Sequence, residues 1–430
     1  MKIKSGIHII AVALVLHALI AVCSAITLDE AIKTALRDGE SMQITSARAS
    51  EVDSGAKLKT AFSGPRLEIG ASYMEMDTDA EPNPYLEIPE RDYSYKAEAS
   101  QLIWAGGRLF KSIEFRGSSR KLSGLMKLSG QRDVRRDVTT IYYNVLFRSE
   151  VLDLMQDRVH QREQEMMDAE DLELAGMVTM LDVRQAMMSL NLALDEYQAA
   201  LARRARAVVD FNVMMGRKVS SDGDEIPEGA LMPEGRLKRS NGLAGTLDAL
   251  EYAAKDGKLL DIRLLTQKLK SADIEHGLSW GGRLPELRLV GQWERSGEES
   301  DELDDEWRAG VVLSMTLLDG GYKRAEQART KSARRAAEAE LKKAQKEFLG
   351  LISTLTFEAR SLDERIALKL EAEKLAEENY LDARGQYRAG TITITRLGEF
   401  NLTYAEARFG LMELFYMEQS LLANAQSLLK

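Results

Sequence analysis

The sequence predicts a mainly α chain with a small β part, built as two tandem copies of one plan: a helix, two strands, a very long helix, a break and another long helix. Three observations carry this. Landmarks recur in the same order in both halves, apolar residues alternate with period two in short segments, and the helical segments run far beyond ordinary length.

The repeat comes first. Thr27-Leu28-Asp29 with Asp38-Gly39 returns as Thr246-Leu247-Asp248 with Asp256-Gly257. Pro65-Arg66-Leu67-Glu68-Ile69-Gly70 returns, one residue longer, as Pro285-Glu286-Leu287-Arg288-Leu289-Val290-Gly291. Ile103-Trp104-Ala105-Gly106-Gly107 returns as Leu317-Leu318-Asp319-Gly320-Gly321, and Leu174-Ala175-Gly176 as Arg388-Ala389-Gly390, both at an offset of 214 residues. The chain therefore divides into a first repeat over 26–216, a connector over 217–245 rich in Gly, Pro, Ser and charge, and a second repeat over 246–430.

In the first repeat the pattern predicts a helix over 27–60, strands near 64–76 and 92–105, and helices over about 107–174 and 178–215. The second repeats this with a helix over 246–278, strands over 284–295 and 307–318, and helices over 321–388 and 393–429. Along the strands, Leu67, Ile69, Ala71 and Tyr73 oppose Glu68 and Ser72, and Trp307, Ala309, Val311, Leu313, Met315 and Leu317 share one face. Strands of about 10 residues fit a tilted bilayer crossing, with Trp293 and Trp307 expected near strand ends as interfacial aromatics. Four strands cannot close a barrel alone. Either the sheet is soluble or several chains share one barrel. The acidic segments Asp77 to Arg91 and Ser296 to Glu306 read as solvated loops.

The helix over 107–174 holds no proline and would span about 100 Å. Phe400, Tyr404, Ala407, Leu411, Leu414, Leu421, Ala425 and Leu428 follow a heptad seam that only Glu418 breaks, and Leu341, Ala344, Phe348, Leu351 and Leu355 follow another. Met166, Met167, Met177, Met180, Met187 and Met188 read as core filler rather than soft-metal ligands.

The chain opens with Lys2 and Lys4, an apolar run from Ile7 to Val22, and Cys23-Ser24-Ala25, the pattern of a signal peptide over 1–25. Lipidation of Cys23 is disfavoured by Val22, because small residues usually precede a lipidated cysteine. Cleavage would remove the single cysteine, leave only His160 and His276, and take the net charge from −10 to −12. Disulfide and thiol chemistry are thereby excluded, and a zinc site, a His-dependent triad and a nucleic-acid partner are disfavoured. No catalytic residues, metal ligands or cofactor site stand out, so the chain does not read as an enzyme.

These residues resemble the TolC-like outer-membrane efflux and secretion channel family (outer membrane efflux proteins) over essentially the whole mature chain. The duplicated plan, Pro65 and Pro285 at the strand starts, and the strand-to-helix turns at Gly106-Gly107-Arg108 and Gly320-Gly321 carry the resemblance. So do the hairpin tips Leu174-Ala175-Gly176-Met177-Val178-Thr179 and Tyr387-Arg388-Ala389-Gly390-Thr391-Ile392-Thr393. The resemblance implies a homotrimer, with four strands per chain in one shared 12-stranded outer-membrane β-barrel and long coiled-coil helices forming a periplasmic α-barrel. It implies a passive duct embedded in outer-membrane lipid, coupled through a periplasmic adaptor (membrane fusion) protein to an inner-membrane RND or ABC-type transporter. The tips around Gly176, Met177, Val178, Gly390, Thr391 and Ile392 would dock the adaptor. Asp182 and Tyr387 match the family's closing network and Glu399 an entrance carboxylate, whereas Ile392 stands where the network has arginine and Arg396 where a second carboxylate is usual. Arg396 lies one helical turn from Glu399, within pairing reach. The competing reading is a periplasmic coiled-coil scaffold or tether with a soluble sheet.

Overall fold

The structure, a computed structural model, describes residues 24–75, 91–217, 229–240, 242–255, 259–299 and 302–429. Most of the expected signal peptide with Cys23, nearly all of the acidic segment 77–91 and part of the connector lie outside the described residues.

In chain order the elements are β1 (Ser24–Ile26), α1 (Leu28–Asp38), α2 (Glu40–Lys59), a 3-10 turn (Ala61–Ser63), β2 (Arg66–Glu75), β3 (Arg91–Trp104), α3 (Arg108–Leu174) and α4 (Met180–Met214). Then come β4 (Leu231–Pro233), α5 (Leu243–Lys255), α6 (Leu260–Gly281), β5 (Glu286–Gly297), β6 (Asp304–Ser314), α7 (Tyr322–Arg388) and α8 (Ile394–Leu429). The four long helices and four long strands lie where the pattern predicts. α3 and α7 are each 67 residues without a break.

The single helices expected over 27–60 and 246–278 are each two helices. Gly39 causes the first break: its backbone is extended (φ −69°, ψ 134°), and a Cβ there would lie 2.5 Å from the Ala35 carbonyl oxygen. The second break follows Lys255.

The chain splits into two compact units, one of Met1–Ser46, Leu128–Leu260 and Glu347–Lys430, the other of Ala47–Lys127 and Asp261–Lys346. The second unit holds an antiparallel sheet in the order β2-β3-β5-β6. Its register joins the period-two pattern across all four strands. Leu67, Ala99, Gly291 and Ala309 form one row, and Ile69, Ala97, Trp293 and Trp307 the next, all on one face. Glu68, Glu98, Gln292 and Arg308 line up on the other. Trp293 and Trp307 are not at strand ends. They pair with each other three rows in from the Ser296–Asp304 pair. β2 and β6 are exposed along their whole length, and each leaves one edge unpaired.

Beneath the sheet in the same unit, helices pack side by side. Ala56 of α2 clusters with Phe115 of α3, the Ser118 and Ser271 hydroxyls join α3 to α6 at 2.8 Å, and Arg334 of α7 meets Asp273 of α6 at 2.9 Å.

In the first unit the connector carries structure that the sequence did not announce. β4 pairs in parallel with β1, and the Asn212 side chain clamps it, Oδ1 accepting from Leu231 N at 2.9 Å while Nδ2 donates to Leu231 O at 3.1 Å. The Tyr142 hydroxyl donates to Glu234 O (2.7 Å) and Ile26 O (3.2 Å). Further on, Leu237 is buried beside Phe147 and Val151. The heptad break at Glu418 is explained by the same connector: this carboxylate, 1% exposed, accepts from Ser240 N at 2.7 Å, while Gln419 Nε2 donates to Lys238 O at 2.8 Å.

Burial pushes the Glu418 carboxyl above its ordinary value of 4.5, the Ser240 N–H opposing it. The folded chain thus holds that proton more tightly than the unfolded one, and stability falls as pH rises through the interval between the two values. Glu418→Gln, which keeps an acceptor for Ser240, is expected to raise the thermal midpoint at pH 7, with the gain vanishing as pH falls to about 4. Melting curves across pH check this.

The heptad seam of α8 is buried at Tyr404, Ala407, Leu411, Leu414 and Ala425. In α7, Phe348 and Leu355 are buried, but Leu351 is 40% exposed. The methionines depart further from expectation: Met167, Met177, Met180, Met187 and Met188 are exposed, and of that group only Met166 packs against a core cluster among the described residues. Among the described residues no helix is long and apolar enough to cross a membrane, and no cluster of His, Cys, Asp or Glu could hold a metal.

Candidate functional site

The two hairpin tips have the same local structure. Gly176 has φ +74° and Gly390 φ +70°, and each ends its long helix in a Schellman motif. Gly176 N donates to Glu173 O and Met177 N to Leu172 O; Gly390 N donates to Tyr387 O and Thr391 N to Gln386 O. The tips touch, since a Cβ on Gly390 would come 2.8 Å from Met177 Cε. Their surfaces differ in chemistry. Leu174, Met177, Met180 and Leu181 expose apolar bulk on the first tip, whereas the second carries Thr391, Thr393, Thr395 and Arg396. Val178 and Ile392 are half-buried, Ile392 against the core formed by Tyr387, Ile394 and Leu397.

The strand-to-helix turns match as closely. Gly106 and Gly107 have φ +55° and +82°; Gly320 and Gly321 have φ +62° and +88°. They are not equally crowded. A Cβ on Gly106 would lie 2.5 Å from Leu284 Cδ1, while at Gly320 it would meet open space. At the second turn Asp319 takes over the capping, accepting from Gly321 N and Lys323 N at 3.0 Å each.

The expected gate residues are placed as follows. Asp182 caps its own helix, its Oδ2 accepting from Thr179 N (2.9 Å) and Thr179 Oγ1 (2.8 Å). Tyr387 is 1% exposed and its hydroxyl has no hydrogen-bond partner among the described residues. Burial, followed by the charges of Asp182, Asp168 and Glu165, pushes the Tyr387 hydroxyl up to about 12. Asp182 and Tyr387 therefore share no hydrogen bond, although the Asp182 charge acts on the Tyr387 hydroxyl. Arg396 Nη1 does reach Glu399 Oε2, at 2.5 Å on an exposed face, and its guanidinium also lies over the Phe400 ring at 4.8 Å.

Beside Tyr387 lies a buried polar cluster that the sequence reading missed. Glu165 of α3, 1% exposed, takes Arg162 Nη1 on Oε2 (2.6 Å), and Tyr380 OH (3.2 Å) and Asn401 Nδ2 (3.1 Å) on Oε1. Three helices, α3, α7 and α8, thus meet on one carboxylate. One turn on, Asp168 receives Arg388 Nε at 2.9 Å and Nη2 at 3.1 Å, tying the second tip's own helix to α3. Burial and the Glu165 charge hold the Tyr380 hydroxyl at about 12, so it is a donor at every physiological pH. The arrangement has no nucleophile–base pair. What it can do is hold three helix ends at a fixed mutual position.

Comparison with known proteins bears on this arrangement. Residues 260–428 match the family model described as outer membrane efflux protein. No curated protein matches the sequence. Among solved structures the chain is similar to the CmeC outer membrane channel of Campylobacter jejuni (TM-score 0.78, 14% identity, covering 94% of this chain and 85% of that one). It is also similar to the outer membrane protein VceC of Vibrio cholerae (TM-score 0.75, 16% identity, 93% and 95%). The open state of the MtrE outer membrane channel of Neisseria gonorrhoeae is a third (TM-score 0.73, 16% identity, 94% and 88%). The resemblance expected from the duplicated turns and tips is thereby borne out: in sequence over 260–428 and in fold over nearly its whole length, this chain is similar to the outer membrane efflux channels.

Proposed function

We propose that the chain is one subunit of a trimeric outer-membrane export channel, a passive duct whose helical part lies in the periplasm. The observation that carries this is the sheet. Its four antiparallel strands share an apolar band over the rows Leu67-Ala99-Gly291-Ala309 and Ile69-Ala97-Trp293-Trp307, with Arg295 and Asp305 paired in the row beyond, yet both edge strands are open, and lipid tolerates no open edge. Counted from β2, alternate strands reverse direction, so β6 of one copy would run antiparallel to β2 of the next and three copies would close twelve strands. In mild detergent the membrane-extracted mature protein should have the native mass of a trimer once detergent is subtracted. A monomer, or protein recovered in the soluble periplasm, overturns the channel and favours a coiled-coil tether.

The tips at Gly176 and Gly390 would receive the hairpins of a periplasmic adaptor, linking the duct to an RND or ABC-type pump in the inner membrane. Replacing both glycines by leucine costs about 1–2 kcal/mol per left-handed position, and at Gly390 also a shift of the flexible Met177 end, together too little to unfold the helices. The variant should assemble as a trimer but lose export. Export at the parental level removes the docking role.

Asp182, Tyr387, Arg396 and Glu399 would border the periplasmic entrance, where the Arg396–Glu399 pair sets charges of both signs around the opening. Arg396→Asp converts each pair into two carboxylates and should change cation block or single-channel conductance by about twofold or more. Identical recordings overturn the entrance role.

A further inference from the structure

Near the end of α6, just before the turn into β5, His276 and Trp280 stand one helical turn apart. Trp280 Nε1 donates to His276 Nε2 at 3.3 Å, and His276 Nδ1 meets Thr330 Oγ1 of α7 at 3.1 Å. Thr330 is 1% exposed, whereas Trp280 is 57% exposed. The imidazole thus bridges a buried point of the α6–α7 seam and an exposed aromatic ring at the foot of the sheet.

These two bonds fix the state of the ring. An indole N–H can only donate, so Nε2 presents its lone pair and the single ring proton sits on Nδ1. Thr330 has lone pairs to receive it, because its own hydroxyl proton is directed to Glu326 O at 3.0 Å within α7. The arrangement therefore suits a neutral His276 and no other form. A second proton would enter at Nε2 and set two N–H groups against each other, while the bond from Nδ1 to Thr330 would remain.

No counter-ion takes part, since both ring nitrogens are engaged by uncharged groups. The charged side chains around the seam are Asp273 and Glu275 on α6, Arg283 just after it, Glu326, Arg329 and Arg334 on α7, and Lys59 on α2. Lys111 comes from α3, its Cδ lying 3.6 Å from where a Cβ on Gly277 would be. Lys59 and Arg329 are held on Glu275, Arg329 also on Glu326, Arg334 on Asp273 and Lys111 on Glu114. Glu275 and Glu326 both titrate below their ordinary value of 4.5. For Glu275 burial is outweighed by the hydrogen bonds from Lys59 and Arg329, and for Glu326 the Arg329 bond dominates. Neither carboxylate changes charge between about pH 8 and pH 5, the interval in which an imidazole does.

We propose that His276 is a proton-operated latch for Trp280: neutral, it holds the indole against α6, and protonated, it keeps Thr330 and lets the indole go. The released ring is the one over which the Arg283 guanidinium lies, at 5.7 Å, in the turn between α6 and β5. Acidification therefore alters the junction of helix and sheet and spares the α6–α7 seam, which Arg334–Asp273 and Ser279–Thr330 continue to hold. The latch is complete within one chain and goes beyond the channel reading.

Indole N–H resonances of the isotope-labelled, detergent-purified chain read the bond directly. The sequence has 4 tryptophans, and the Trp280 signal is the one absent from Trp280→Phe. Lowering the pH from about 8 to about 5 should move that signal through a single-proton transition, and His276→Gln should abolish the transition. A Trp280 signal that stays put in the parent, or a transition that survives in His276→Gln, overturns the latch. If His276→Gln does not fold, Thr330→Val takes its place. Without the Thr330 acceptor the proton is no longer fixed on Nδ1, so the signal at the alkaline end should already lie toward its acid position. An unchanged signal there overturns the latch as well.

Discussion

Glu165→Ala should lower the stability of the folded chain by about 3–5 kcal/mol, because it leaves the Arg162 guanidinium buried without its anion and removes the acceptor of Tyr380 and Asn401. The expected readout is an earlier thermal midpoint and faster proteolysis within the first compact unit, with the strand signal in circular dichroism melting later. Arg162→Met combined with Glu165→Leu should recover part of the loss, since a buried ion pair replaced by apolar residues of similar size is often neutral. If Glu165→Ala melts with the parent, the cluster is not what holds the three helices together.

The second large effect comes from a contrast between two positions that the sequence makes equivalent. Gly106→Ala should cost the left-handed backbone penalty of about 1–2 kcal/mol plus an overpacking cost of about 1–3 kcal/mol, because the new methyl would lie 2.5 Å from Leu284. Gly320→Ala pays only the first, having open space around its Cβ. Thermal midpoints of the two variants should therefore separate clearly, with Gly106→Ala lower. Trimming Leu284 to alanine in the Gly106→Ala background should narrow the gap. Equal midpoints would mean that Leu284 yields freely and that backbone strain alone governs both turns.

Much of this architecture was legible because single residues announce it. A glycine pair between a strand and a helix has few uses besides two successive positive φ angles, and Gly106, Gly107, Gly320 and Gly321 adopt them. Gly176 and Gly390 were equally plain. Asp38-Gly39 is a landmark of the repeat, yet the break it marks is not announced by sequence, since a glycine inside an otherwise helical pattern can also be tolerated without a break. The polar cluster was hidden for a different reason. Glu163, Glu165, Asp168, Glu170, Asp171 and Glu173 look alike in the sequence, an acidic run that reads as a solvated face. Only packing distinguishes Glu165, turned toward Tyr380, from Glu163, which stays at the surface with His160. The pairing of Arg396 with Glu399 was visible from spacing, whereas the missing hydrogen bond between Asp182 and Tyr387 was not, because Thr179 competes for the same carboxylate.

The parallel pairing of β1 with β4 bears on the order in which the polypeptide can assemble. Ser24 is matched with Leu231 and Ile26 with Pro233, so β1 has no partner until more than half the chain has been synthesised. Once Leu231 arrives and Asn212 clamps it, Ile26 sinks to 7% exposure and its carbonyl is taken by Glu234 N and the Tyr142 hydroxyl. Closure of the β1–β4 pair is thus a late event: the core that gathers Ile26, Val138, Phe211 and Leu231 cannot be completed before the connector has arrived.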